Sequence, residues 1–261
     1  MSIYRIWGVI LRHLYLFKTN ITRISDAFYW PAIDIFIWGI TFSFIQSTSG
    51  AIPNLTLMIL SGLVLWTIIY RGQNEISVAL MEEVWNRNLV NLFVSPLKFS
   101  EWTTAVILMS TIKNIITFVF SLSLCMLIYG VKIWEIGFII FPYIILLLII
   151  SWSIGMFVSG LLYLWGSKVE IFAWSIVAIF SPICAVYYPV SVLPEFVQYI
   201  SRLLPPTYIF EGMRYAIEFG KYDWTGLYIA SILTIILFIA SLGFVNICFK
   251  RVLNNGLVKF K

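Results

Sequence analysis

The sequence predicts an all-α polytopic membrane protein with six transmembrane helices, and three features carry that expectation. Of its 261 residues, 61% are hydrophobic and only 11% are charged, whereas charge runs near ~25% in soluble domains. The apolar residues gather into stretches of about 20, the length that crosses ~30 Å of hydrocarbon at 1.5 Å per residue. The charges gather in the connections between those stretches. One transmembrane domain over 1–261 is the expected organisation.

The elements follow in order. In residues 2–18, Ile3, Ile6, Trp7, Ile10, Leu14 and Phe17 recur at three- and four-residue steps, with Arg5, Arg12 and Lys18 on the remaining arc. That pattern predicts an interfacial helix within 1–24. Arg12 interrupts the only apolar run that would serve as a signal peptide, so the helix is expected to remain on the protein. Spans are then expected at 27–46, 55–73, 103–129, 136–165, 171–188 and 224–249, the fifth interrupted by Pro182. With the N-terminus inside, twelve Lys/Arg face the cytoplasm, including Lys250, Arg251, Lys259 and Lys261. Only Lys132, Arg202, Arg214 and Lys221 face out, which places both termini in the cytoplasm of a cell inner or plasma membrane.

Two connections carry pattern of their own. In the cytoplasmic segment 76–102, Ile76, Leu80, Val84 and Leu92 mark an apolar side, while Glu82, Glu83, Asn86 and Arg87 share the other, and Pro96 ends the helix. The external segment 189–222 contains Leu193-Pro194 and Leu204-Pro205-Pro206.

Composition and absent motifs exclude several functions. Seventeen Lys+Arg against twelve Asp+Glu, net +5, is too little basic charge for a nucleic-acid groove, so the expected environment is the bilayer. One histidine, His13, and three cysteines make a poor ligand set for zinc, haem or an iron–sulfur cluster. Cys125, Cys184 and Cys248 are expected as membrane-buried free thiols. No G-x-x-x-x-G-K-[ST] occurs, so ATP phosphates cannot be held here in a P-loop. Ser159 has no membrane-embedded base, and Asp34 has no second intramembrane carboxylate, which disfavours protease chemistry. No enzymatic activity and no cofactor are expected of this chain itself.

Polar groups inside spans are costly and therefore informative. Asp34 in the first span and Lys113 in the third both fall in the cytoplasmic half, and an ion pair between them is expected. Ser110, Asn114, Thr117 and Ser121 form a polar stripe down the third span, which should face protein or a cavity. Ser151, Gly155 and Ser159 form a small-residue track for close helix approach.

Leu92-Phe93-Val94-Ser95-Pro96-Leu97 followed by Glu101, then Ser181-Pro182, Leu193-Pro194, and Leu204-Pro205-Pro206-Thr207-Tyr208 followed by Glu211 and Arg214, occur in an order that resembles the permease subunits of ABC-2 type transporters. The resemblance covers nearly the whole chain. It implies a cytoplasmic coupling helix at 76–93, a second cytoplasmic contact at 166–170 with Lys168 and Glu170, and a partner ABC ATPase that binds ATP and Mg. It further implies two permease copies, a homodimer being simplest, and re-entrant external helices, amphipathic through Phe196, Ile200 and Leu203, that help close the exit. The implied function is ATP-driven export of an amphiphile such as a drug, lipid or lipid-linked glycan. Polysaccharide exporters carry an Arg-Asp pair after the fourth span where this chain has Gly166-Ser167-Lys168, which weighs against a glycan. The alternative is a stand-alone secondary transporter or channel, against which stands the lack of a repeat between the two halves.

Overall fold

The computed structural model describes residues 1–49 and 55–255, so Lys259 and Lys261 lie outside the described residues. Ten α-helices follow in order: α1 (Ile3–Thr19), α2 (Ile21–Ser49), α3 (Leu55–Trp85), α4 (Leu89–Val94), α5 (Phe99–Tyr129), α6 (Ile140–Trp165), α7 (Ile171–Ile183), α8 (Glu195–Ser201), α9 (Pro205–Phe219) and α10 (Trp224–Asn255). Short 3-10 turns occupy Ile133–Ile136, Gly166–Val169 and Val190–Val192. Among the described residues, five helices are long and apolar enough to cross a membrane: α2, α3, α5, α6 and α10.

The fifth expected span, 171–188, is not one continuous helix. The 13 residues of α7 extend about 20 Å, short of the hydrocarbon thickness. Pro182 lacks the N–H that would extend the helix, and the chain turns at Ala185, whose φ is 57°. The neighbours of this segment nevertheless lie at opposite ends of α3. Glu170 accepts a hydrogen bond from Trp85 Nε1 at 3.3 Å, while the Val186 carbonyl abuts Gly62, 23 residues earlier and so about 35 Å away along the axis.

α6 and α10 run side by side in the same direction. At their starts the Tyr222 hydroxyl accepts the Phe138 N–H at 3.3 Å; at their ends Tyr163 and Phe249 rings meet edge-on at 5.7 Å. The chain between them therefore returns from one end of the bundle to the other.

α3 is the central helix, buried along most of its length. On one side the stripe of α5 faces it: Ser110 Oγ donates to the Gly72 carbonyl at 2.9 Å and Asn114 Nδ2 to the Ile68 carbonyl at 2.7 Å. These groups, with Thr117 and Ser121, are buried against protein, as expected of a polar stripe in a bilayer. On the other side α6 presents its small-residue track. A Cβ on Gly155 would stand 2.8 Å from Ile76 Cβ and 3.2 Å from the Gln73 carbonyl, so only glycine admits this crossing. The three cysteines are buried and free.

The expected helix 76–93 is divided. Residues 76–85 complete α3, the chain reverses at Arg87 with φ 52°, and α4 follows. Asn88 sets the break: its N–H bonds the Glu83 carbonyl at 2.9 Å and its Nδ2 bonds Glu83 Oε2 at 2.6 Å, capping the end of α3. The apolar side survives the break, with Ile76, Leu80 and Leu92 in one buried cluster and Val84 packed on it. The N-terminal helix is likewise shorter than 1–24, ending at Thr19 where Asn20 adopts extended backbone. At the other end of the bundle, α9 starts with Pro205 at its first position, suited to a helix start, and ends at Gly220 with φ 62°.

Substituting Gly155→Val should force α3 and α6 apart, costing about 1–3 kcal/mol of overpacking. The measurement is the thermal midpoint in detergent; an unchanged midpoint would contradict the contact.

Candidate functional site

Four charges on α3 sit inside the bundle, and each is met by another helix. Arg71 is 5% exposed and engages Asp26 of α2, through Asp26 Oδ2 at 3.5 Å and the Asp26 carbonyl. Glu75 meets Lys113 of α5 at 2.6 Å. Glu82 pairs with Arg23 of α2. Glu83, fully buried, takes Arg12 of α1 at 2.9 Å. Arg5 of α1 joins Glu101 at 3.2 Å, and Glu101 also accepts the N–H groups of Ser2 and Lys98, capping α5.

Two expectations are corrected here. Lys113 pairs with Glu75 rather than with Asp34, because Glu75 is on the adjoining helix α3 and Asp34 faces away into a separate recess. Glu82 and Glu83 do not form a free polar face for a partner. They are held by arginines of α2 and α1, whose charges look solvent-facing when α1 is read as an isolated amphipathic helix. Asn86 and Arg87 are exposed at the turn after α3, and Lys168 is exposed at the turn after α6. Trp85 and Glu170 join these two turns.

On the face formed by α2, α3 and α7 lies a recess of about 290 Å3 lined in part by Trp30, Asp34, Trp38, Tyr70, Arg71 and Tyr187. Trp38 and Tyr187 stack at 5.5 Å. Of these lining residues only Asp34 stands out in the sequence, as a partner for Lys113; the spacing Trp30, Asp34, Trp38, one residue per turn on one helix face, is the signal for the rest. A second cavity of about 520 Å3 between α6, α7 and α10, floored by Leu204, Pro205 and Pro206, is almost wholly apolar.

At the end of the bundle away from Arg87, Phe196, Ile200 and Leu203 are exposed on α8 and the turn after it. Arg214 pairs with Glu211 at 2.7 Å, and Glu211 accepts the Val190 N–H at 2.9 Å, fixing the approach to α8. Burial lowers the pKa of Arg214, and the Glu211 carboxylate counters that shift.

His13 of α1 is buried beside Lys113, Arg23 and Glu75. Burial, reinforced by the Lys113, Arg12 and Arg23 charges, lowers its pKa from 6.5 to about 4. The native state therefore holds the neutral imidazole. Its stabilising effect is complete above pH 6.5 and is lost as the pH falls from 6.5 toward 4, where the unfolded chain takes a proton that the folded chain refuses. A His13→Gln variant should lose less stability than the parent between pH 7 and pH 4.5, read from thermal midpoints in detergent. For the ion pairs, Lys113→Gln alone should cost about 3 kcal/mol by leaving Glu75 unpaired, and adding Glu75→Gln should recover much of that loss. Additive losses across the cycle would deny the contact.

Comparison with known families places these helices. The model of the ABC-2 type transporter family matches residues 15–218, which takes in α2 to α8 and nearly all of α9. A search of curated proteins found no match. Five helices able to span a bilayer, arranged around a central α3, are consistent with that match. The chain thus belongs to the ABC-2 type transporter family, membrane permeases that are not themselves catalytic and normally work with an ATPase subunit.

Proposed function

We propose that this chain is the membrane-spanning permease subunit of an ATP-driven exporter that moves an amphiphilic substrate out of the cytoplasm. ATP and Mg bind on a separate nucleotide-binding subunit, and a second copy of the permease completes a homodimer. The α7 segment with residues 184–188 makes the sixth crossing, both termini are cytoplasmic, and the exposed side of α8 rests in the outer leaflet at the exit.

The observation that carries the reading is the construction of the cytoplasmic end. The acidic residues of α3 are held internally, which leaves Asn86 and Arg87 exposed ahead of α4, beside Lys168 and Glu170. A subunit that grips this knuckle moves α3 as a lever, since α3 is locked to α1, α2 and α5 by ion pairs. Coupling of this kind requires a two-state element that both sites bias.

Reversing both exposed cations, Arg87→Glu with Lys168→Glu, should weaken co-purification of the ATPase from native membranes by about tenfold or more, because mismatched interface charge costs several kcal/mol. The permease itself should keep its thermal midpoint. Unchanged co-purification and unchanged ATPase coupling would sink the docking assignment, and a wild-type chain that carries no ATPase would favour the stand-alone transporter. For the topology, a cysteine at Lys221 should react with an impermeant reagent in intact cells, and one at Asn254 only after permeabilisation. The opposite pattern would invert the protein in the membrane.

A further inference from the structure

With Lys113 committed to Glu75 and Arg71 to Asp26, Asp34 has no basic group within ion-pair distance among the described residues. Asp34 lies eight residues beyond Asp26 along α2, about 12 Å farther along the helix, and Arg71, held at Asp26, lines the same recess without an ion pair to Asp34. The recess is thus lined by one cation, Arg71, whose guanidinium is engaged by Asp26 outside the lining, and by one exposed carboxylate, Asp34, that makes no ion pair among the described residues.

The surroundings of that carboxylate are aromatic. Trp30 and Trp38 stand one turn before and one turn after Asp34 on the same face of α2, while Tyr70 of α3 and Tyr187 after α7 close the other walls. Tyr187 is stacked on Trp38, which fixes both rings. An ionised carboxylate at membrane depth is costly without a counter-charge, and the faces of tryptophan and tyrosine attract cations. Both features favour a positive group.

We infer that this recess binds the cationic headgroup of an amphiphile, an amine or quaternary ammonium seated against Asp34 between Trp30 and Trp38. The inference rests on the exporter reading and names its substrate class. The volume of about 290 Å3 suits a headgroup rather than a whole amphiphile. The tail remains in the hydrocarbon faced by the exposed Phe36, Ile37 and Ile40 of the same helix.

The test uses the full chain with its native partners in nanodiscs, photolabelled with a dodecyltrimethylammonium that carries a diazirine on its tail. Labelled peptides are identified by mass spectrometry against two probes of equal tail length, a dodecyl sulfate and a neutral dodecyl maltoside. Expected is saturable labelling of α2 and α7 peptides by the cationic probe, reduced about tenfold by Asp34→Asn and restored by Asp34→Glu. Trp38→Leu, which keeps the carboxylate, should also reduce it and decides the matter should Asp34→Asn fail to fold. Equal labelling by the neutral or anionic probe, or labelling indifferent to both substitutions, would overturn the inference. Labelling needs neither ATP nor transport, so an uncoupled permease that still selects the cation defeats the exporter reading alone, whereas a coupled exporter with charge-blind labelling defeats this inference alone.

Discussion

The structure depends on the need to neutralise four charges carried by one buried helix. α3 brings Arg71, Glu75, Glu82 and Glu83 into a bundle whose surroundings do not solvate ions. Each therefore dictates a neighbour: Asp26 and Arg23 draw in α2, Lys113 draws in α5, and Arg12 draws in α1. An apolar helix in lipid gains little from choosing one apolar partner over another, so unmatched charge supplies the discrimination. Three of the four partners lie in the first 26 residues, which makes α1 and the start of α2 a strap around the C-terminal half of α3.

Steric fit does the same work on the opposite side. Gly155 lets α6 meet Ile76 and the Gln73 carbonyl, and Gly160 leaves room for Phe244 of α10. Close approach of this kind is what dispersion and backbone contact require where the hydrophobic effect gives no preference. The bundle is thus held by ion pairs and polar bonds on the α1, α2 and α5 side, and by small residues on the α6 and α10 side. α7 is the least conventional member, too short to cross as a helix and completed by an irregular turn next to the aromatic recess.

This division has a mechanical consequence. A force applied at Arg87 or α4 reaches α3 directly, and through the Trp85–Glu170 bond it also reaches the start of α7. Both helices border the recess that contains Asp34. A partner docked at that end and a ligand in the recess, as proposed, would act on the same two helices, with no long chain of intermediates needed to connect them.

The sequence by itself determined that the chain is helical and lives in a bilayer, because run length and charge segregation depend only on the order of residues. It also determined the stripe of α5 and the small-residue track of α6, since 3.6-residue periodicity places those groups on single faces before any partner is known. The family was legible from Ser95-Pro96, Glu101 and the Leu204-Pro205-Pro206-Thr207-Tyr208 run. What only the tertiary structure decided was pairing. Lys113 has candidate carboxylates on two other helices, Asp34 and Glu75, and nothing in a linear sequence says which helix adjoins which. Glu82 and Glu83 read as a solvated face because their partners, Arg23 and Arg12, are about 60 to 70 residues away along the chain. The division of 76–93 goes with Asn88 bonding Glu83, a carboxylate that Arg12 of α1 also holds. Charge position is a property of sequence; charge partnership is a property of packing, because it depends on which helices the whole bundle brings within a few ångströms.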